Sequence, residues 1–146
     1  MRRVEVVCTG NICRSPIGEM VLRAKLADAG IDDVVVTSSG TGGWHVGDPM
    51  DQRASAALAR RGYDGSAHRA QEFDSGWFAE RDLVLAMDSG HLSALRRRGG
   101  ADLAVPVELF ADTDVPDPYY GDDHGFDDVL DQIEKAAEVW VGRLKA

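Results

Sequence analysis

Cysteine is scarce in this chain: Cys8 and Cys13 are the two present among 146 residues. Two thiols so few and so close cannot form a disulfide scaffold. Long apolar runs are missing too, and none approaches the ~20 residues that a membrane span needs. No apolar signal segment precedes the first strand, because Met1-Arg2-Arg3 leads straight into it. These absences predict a cytoplasmic protein without membrane association, with secretion by a signal-free route left open. Positive charge is in the minority, 16 Lys and Arg against 25 Asp and Glu, for a net charge of −9. No basic stripe is visible, so no nucleic-acid partner is expected. The same deficit argues against long-range steering of an anionic ligand, so affinity for any anion has to come from local geometry. Repeats, low-complexity tracts and linkers are absent, and the length fits a single domain over residues 1–146.

What is present centres on Cys8-Thr9-Gly10-Asn11-Ile12-Cys13-Arg14-Ser15. The β-branched run Val4–Val7 ahead of it reads as a short buried strand. Pro16 behind it suits a first helical position, and Ile17, Met20, Val21 and Ala24 repeat at helical spacing until Gly30 stops them. The octapeptide is therefore a strand-to-helix loop, and its amides, backed by the helix dipole, make a cradle for a tetrahedral oxyanion. Cys8 opens it and Arg14 closes it. A thiolate is the nucleophilic form of cysteine, and a helix N-terminus with a neighbouring cation favours it. The Arg14 guanidinium offers a planar fork matching two phosphate oxygens. Gly10 permits the backbone twist such a cradle needs, and Asn11 tolerates a left-handed conformation. Ser15 can cap the helix or donate to the departing thiolate. The combination points to nucleophilic attack on phosphorus.

Further along, Val34–Ser38 reads as a second strand, ended by Gly40, Gly42 and Gly43, with Trp44 and His45 in the following loop. Asp51–Arg61 reads as a helix, Asp82–Met87 as a third strand, and Leu92 and Leu95 mark a helix ended by Gly99 and Gly100. Leu103–Val107 reads as a fourth strand, broken by Pro106. Ala111–Gly125 is a loop dense in Asp, Pro, Tyr and Gly. Phe126, Val129, Leu130, Ile133, Ala137, Trp140, Val141 and Leu144 then share one face of a last helix. Strands alternating with helices predict an α/β fold, a parallel sheet covered on both faces with its ligand at the carboxyl ends of the strands. Cys8 sits at such an end.

Expelling a phenoxide from phosphorus is easier with a proton donor. Asp117, stiffened between Pro116 and Pro118, is the candidate, although a turn aspartate there is an equal reading of the residues alone. The octapeptide near the N-terminus, and Asp117-Pro118-Tyr119-Tyr120 ahead of the last helix, resemble the two signatures of the low-molecular-weight protein tyrosine phosphatases. The resemblance implies a four-stranded parallel sheet with the phosphate-binding loop between its first strand and first helix. It implies that Cys8 takes the phosphoryl group to give a phosphocysteine while Asp117 protonates the leaving oxygen. Asp117 then activates the water that releases phosphate. Arg14, with Thr9, Gly10, Asn11, Ile12, Cys13 and Ser15, would hold the phosphoryl oxygens, and no metal or other cofactor is required.

The resemblance also places Trp44, Tyr119 and Tyr120 at the pocket rim, walling a slot for a flat phenyl ring that keeps short phosphoserine from the thiol. It gives Ser38 and His68 supporting hydrogen bonds to Asn11 and Ser15. A reversible Cys8–Cys13 disulfide is implied as protection against over-oxidation, beside the plainer reading of Cys13 as a thiol lining the cradle. The expected partners are a phosphotyrosine protein as substrate and a tyrosine kinase, with the enzyme a monomer or weak dimer. Frequent Ala, Arg, Gly and Asp hint at a bacterial source. An arsenate reductase is disfavoured because its further cysteines are missing. A phosphoarginine phosphatase is disfavoured by Ile12 and the paired tyrosines, and a silent phosphate-binding module by the full set of Cys8, Arg14 and Asp117. His45, His91 and His124 receive no role, and Asp122-Asp123-His124 reads as a solvated acidic loop.

Overall fold

The apolar, β-branched runs become four parallel strands: β1 (Arg2–Cys8), β2 (Val34–Gly40), β3 (Leu83–Ala86) and β4 (Val107–Leu109), in the order β2-β1-β3-β4. They were located in a computed structural model that describes residues 1–100, 103–121 and 123–145; the side chains of Tyr120 and Asp123 also lie outside the description. Parallel strands need crossovers, and these run through α1 (Arg14–Asp28), α2 (Gln52–Arg60) and α3 (Ser89–Gly99), with α4 (Asp123–Leu144) following β4. Two 3-10 turns, Ser75–Ala79 and Pro118–Tyr120, complete the order.

The central strand β1 is buried on both faces, and its side chains alternate between two cores. Val4, Val6 and Cys8 point toward α1 and α4, whose Ile17, Val21, Leu22, Phe126, Leu130 and Ile133 fill that layer. Val7 points the other way, into a smaller cluster of Phe73, Val84, Ala86, Leu95 and Val107. Glu5 shares that second direction, and its fully buried carboxylate is met by Arg81 at 2.9 Å and by the Thr37 hydroxyl. The register sets Cys8 beside Gly40 and Val7 beside Ala86, so the ends of β1, β2 and β3 open on one edge.

The helix stops fall where the sequence predicts them: Gly30 and Gly100 both adopt φ of 74°, a left-handed conformation that glycine enters without strain. Beside shifts of one or two residues at the ends of β1, β2, α2 and β3, three boundaries differ for a reason that can be named. The fourth strand is Val107–Leu109 rather than Leu103–Val107, because Pro106 has no N–H to give the ladder. Its carbonyl instead accepts from Val84 N at 3.0 Å, and the strand forms beyond it. The first helix begins at Arg14, which makes Pro16 its third residue, not its first. The last helix begins at Asp123, inside the stretch expected to be loop.

Candidate active site

Cys8 is the last residue of β1 and Arg14 the first of α1, so the five residues between them must turn the chain from strand to helix. The turn is made at Asn11, whose φ of 59° is the one left-handed non-glycine value among the described residues. Its side chain explains why that conformation persists. Nδ2 donates to Ser15 Oγ at 2.8 Å and to Ser38 Oγ at 3.0 Å, and Oδ1 accepts from Gln71 N at 2.9 Å. His68 Nε2 lies 2.8 Å from the Asn11 carbonyl, and Ser38 donates onward to Glu19 Oε1 at 2.6 Å. Thus Ser38 and His68 both meet Asn11, and neither is bonded to Ser15.

Ser15 does not cap the helix: the N-cap position is Cys13, and no side chain caps it. Ser15 Oγ instead sits 2.9 Å from Cys8 Sγ and 3.2 Å from the Ser39 carbonyl. Its single proton can go to either. A thiolate accepts only, so ionised sulfur draws that proton toward itself. Cys13 is 4% exposed, and burial pushes its thiol well above the ordinary range, with Asp51, Cys8 and Asp117 adding to the rise. Both cysteines are free thiols.

The outer wall of the loop is backbone. Thr41 N donates to the Cys8 carbonyl at 2.8 Å, Gly42 N to Thr9 at 3.1 Å, and Asp51 N to Ile12 at 2.9 Å. Gly40 is required by this approach, since a Cβ there would stand 2.5 Å from the Thr9 carbonyl oxygen.

Arg14 is nearly enclosed, its side chain 5% exposed. Nη1 donates to Asp88 Oδ2 at 2.8 Å and to the Val115 carbonyl at 3.0 Å; Nη2 lies 3.3 Å from Thr9 Oγ1 and 3.6 Å from Asp117 Oδ2. Asp88 also caps α3, accepting from His91 N at 2.9 Å. Burial works to raise the Asp88 carboxyl, but the His91 N–H and Arg14 outweigh it and hold it below the usual carboxylate range. His91 Nε2 meets Thr9 Oγ1 at 2.7 Å. Burial lowers the imidazole from its ordinary value against the opposing pull of Asp88, whose Oδ1 lies 3.1 Å from Nδ1 without the geometry of a hydrogen bond.

These groups surround a cavity of about 330 Å³ lined by Cys8, Thr9, Gly10, Ile12, Cys13, Arg14, Trp44, His45, Asp117 and Tyr119. Trp44 and Tyr119 line the cavity and are exposed; the Tyr120 side chain lies outside the described residues, as do Asp122 and the side chain of Asp123. His45 is an unpredicted wall, packed over Gly10 and 3.2 Å from Asp48. Asp88, His91 and Gly40 are the other members that sequence reasoning missed. Asp88 follows a strand of a parallel sheet at its carboxyl end, and that position is the one signal that could have singled it out. No helix among the described residues is long and apolar enough to cross a membrane.

A thiol and a guanidinium from one loop, and a carboxyl from a distant stretch of chain, thus meet on one cavity. The chain as a whole is similar to known proteins. The family model for low molecular weight phosphotyrosine protein phosphatases matches residues 3–146. A low molecular weight protein-tyrosine-phosphatase from Streptomyces coelicolor is 48% identical over 146 residues, covering 92% of this chain and 88% of its own. Among solved structures, a protein tyrosine phosphatase from Entamoeba histolytica superposes with a TM-score of 0.95 at 30% identity, covering 99% and 97% of the two chains. Wzb from Vibrio vulnificus, solved with benzylphosphonate, superposes at 0.86 with 31% identity, over 98% and 99%. A match of this extent, on a parallel sheet with Cys8 at the end of β1 and Arg14 at the start of α1, places the chain in the low molecular weight protein tyrosine phosphatase family.

Proposed function

We propose that residues 1–146 form one phosphatase domain that hydrolyses phosphotyrosine in proteins through a phosphocysteine. The observation that carries this is the meeting of Cys8, Arg14 and Asp117 on one cavity whose rim is aromatic. In the first step Cys8 Sγ attacks phosphorus, the bond to the phenolic oxygen breaks, and the Asp117 proton goes to that oxygen. In the second, water attacks phosphorus and gives its proton to Asp117, while the P–S bond breaks to free phosphate and the thiolate. Ser15 Oγ, 2.9 Å away, donates to the sulfur as it leaves. Arg14 and the loop amides hold the equatorial oxygens in both steps, which is where catalysis of phosphoryl transfer mostly lies. Support for an aromatic substrate comes from Trp44 and Tyr119 at the rim and from the benzylphosphonate complex of Wzb.

The test is phosphate release from a phosphotyrosine peptide, with phosphoserine and phosphoarginine peptides as controls. Release from phosphotyrosine alone, abolished in Cys8→Ser, is expected, and so is loss in Asp117→Asn of the fall in kcat/KM toward higher pH that deprotonation of a general acid produces. Release from phosphoarginine instead would leave the nucleophile standing and overturn the substrate. No release, with phosphate still bound, would make this a binding module.

On the same reading the enzyme works in the bacterial cytoplasm as a monomer or weak dimer, opposite a tyrosine kinase. Its two buried thiols act as a redox pair. Peroxide oxidises Cys8 to a sulfenic acid, and Cys13 displaces water from it to close a disulfide that a dithiol reopens. Wild-type activity should then return with dithiothreitol after a peroxide pulse, and much less should return in Cys13→Ser.

A further inference from the structure

Arg53, in the first turn of α2, reaches out of its helix to the loop that carries Asp117. Nη2 donates to the Tyr119 carbonyl at 2.8 Å and Nη1 to the Gly121 carbonyl at 3.1 Å. The guanidinium is braced from behind by Asp51, with Nη2 3.3 Å from Oδ2 and Nε 3.4 Å from Oδ1. It also lies over the Phe126 ring, 4.7 Å from the centroid, with the Tyr119 ring at 5.6 Å. Asp51 is itself fixed to the cradle, its N–H donating to the Ile12 carbonyl. A continuous path therefore runs from the phosphate loop through Asp51 and Arg53 to the backbone just beyond Asp117.

Asp117 is tied to the far end of that path. Its Oδ1 accepts from Tyr119 N at 3.1 Å, and Tyr119 is the residue whose carbonyl Arg53 holds. On the near side, Val115 is anchored by N–H donation to the Met87 carbonyl and by Arg14 on its own carbonyl. The turn Pro118–Tyr120 is only three residues long, so fixing both flanks fixes the carboxyl between them. Two carbonyls two residues apart call for a rigid fork of donors, which arginine has and lysine lacks.

We propose that Arg53 is a positioning residue, aiming the Asp117 carboxyl at the leaving oxygen by holding the Tyr119 and Gly121 carbonyls. The proposal rests on the reading of Asp117 as the general acid. It predicts a loss that depends on how much help the leaving group needs. Phenol is a poor leaving group and needs the proton; the more acidic p-nitrophenol hardly does.

The experiment compares Arg53→Met, which keeps an apolar stem on Phe126, with Arg53→Lys, Asp117→Asn and the Arg53→Met/Asp117→Asn double variant. The readouts are kcat/KM for phenyl phosphate and for p-nitrophenyl phosphate, and competitive inhibition by inorganic phosphate. Arg53→Met is expected to lower kcat/KM about tenfold or more on phenyl phosphate, a fraction of what a general acid contributes. The fall on p-nitrophenyl phosphate should be slight and phosphate inhibition should hold, with Arg53→Lys intermediate. In the Asp117→Asn background, Arg53→Met should remove nothing further from phenyl phosphate turnover. Equal losses on both esters with weakened phosphate inhibition would overturn the proposal, showing a general role in the fold. So would losses that multiply in the double variant while Asp117→Asn alone keeps its leaving-group selectivity. An Asp117→Asn variant with no such selectivity would overturn the acid itself, and Arg53's assignment with it.

Discussion

Asp88 holds two things at once, and separating them tests how the site keeps its cation in place. One carboxylate oxygen pairs with Arg14 at 2.8 Å, and the other caps α3 at His91 N. Asp88→Ser keeps a capping oxygen and loses the charge; Asp88→Ala loses both. The cap alone is worth about 1 kcal/mol. Stranding a fully buried guanidinium would cost about 3–5 kcal/mol. Here Arg14 keeps the Val115 carbonyl and Thr9 Oγ1, and the Asp88 side chain is 25% exposed. A loss of about 2 kcal/mol is therefore the appropriate figure for the charge. Urea unfolding in phosphate-free and sulfate-free buffer should show Asp88→Ser down by about 2 kcal/mol and Asp88→Ala by about 3.

The pH dependence has a definite sign. A carboxyl held low in the folded state stabilises above its ordinary value of 3.8 and loses that contribution as pH falls through its folded value. The gap between wild type and Asp88→Ser should therefore close below about pH 4. Arg14, no longer held, should also bind the phosphoryl oxygens less well, and kcat/KM should fall about tenfold, the loss of roughly one oriented hydrogen bond. An Asp88→Ser protein within about 0.5 kcal/mol of wild type, the range of ordinary surface changes, and fully active, would refute the reasoning.

Gly40→Ala puts a methyl group 2.5 Å from the Thr9 carbonyl, where only backbone can yield; a stability loss of about 1–3 kcal/mol with reduced kcat/KM is expected, and a neutral result would mean the strand and loop part freely. Asn11→Ala should be less stable than Asn11→Gly by about 1 kcal/mol in urea, since both lose the side-chain bonds but only alanine pays for the left-handed φ of 59°; the reverse order would contradict that. His91 is held by burial below its ordinary 6.5, so it costs stability as pH falls from there toward its folded value. Melting temperatures between about pH 7.5 and 5 should accordingly fall less steeply in His91→Asn than in wild type.

How far the sequence was legible depended on whether the physics was local. The cradle was, because a β-branched run, a glycine-bearing loop and a helical repeat lie within thirty residues, and asparagine at position 11 already names its own left-handed turn. The fourth strand is displaced because Pro106 looks in sequence like an interruption inside a strand, whereas it ends the approach to one. The partners of Arg14 and Thr9 were not legible. Asp88 is 74 residues from Arg14 and His91 is 82 from Thr9. Locally Asp88 looks like any helix cap, and its second oxygen matters only once β3 is set beside β1. Gly40 misled in a subtler way: it reads as a turn glycine, but its constraint is the backbone of the neighbouring strand's loop, which no local pattern encodes.

The site is built to two different standards of burial, and the chemistry gives a reason. Asn11 and Ser15 are fully enclosed, and their hydrogen bonds tie the loop and the start of α1 to β2 and to the segment before Phe73. Both steps of the proposed mechanism place the phosphoryl oxygens in the same cradle, so a fixed arrangement would serve each transition state without reorganisation. The proposed acid is set differently: the Asp117, Arg53 and Tyr119 groups are each a third or more exposed. On the proposed mechanism the carboxyl would address a phenolic oxygen first and a water molecule afterwards, and the phenol would leave past it before that water enters. A carboxyl sealed in the core could make neither exchange, and an untethered one would be aimed at nothing. An arginine fork bonded to two carbonyls from the rim satisfies both demands, which is why the surface position of Arg53 argues for its role rather than against it.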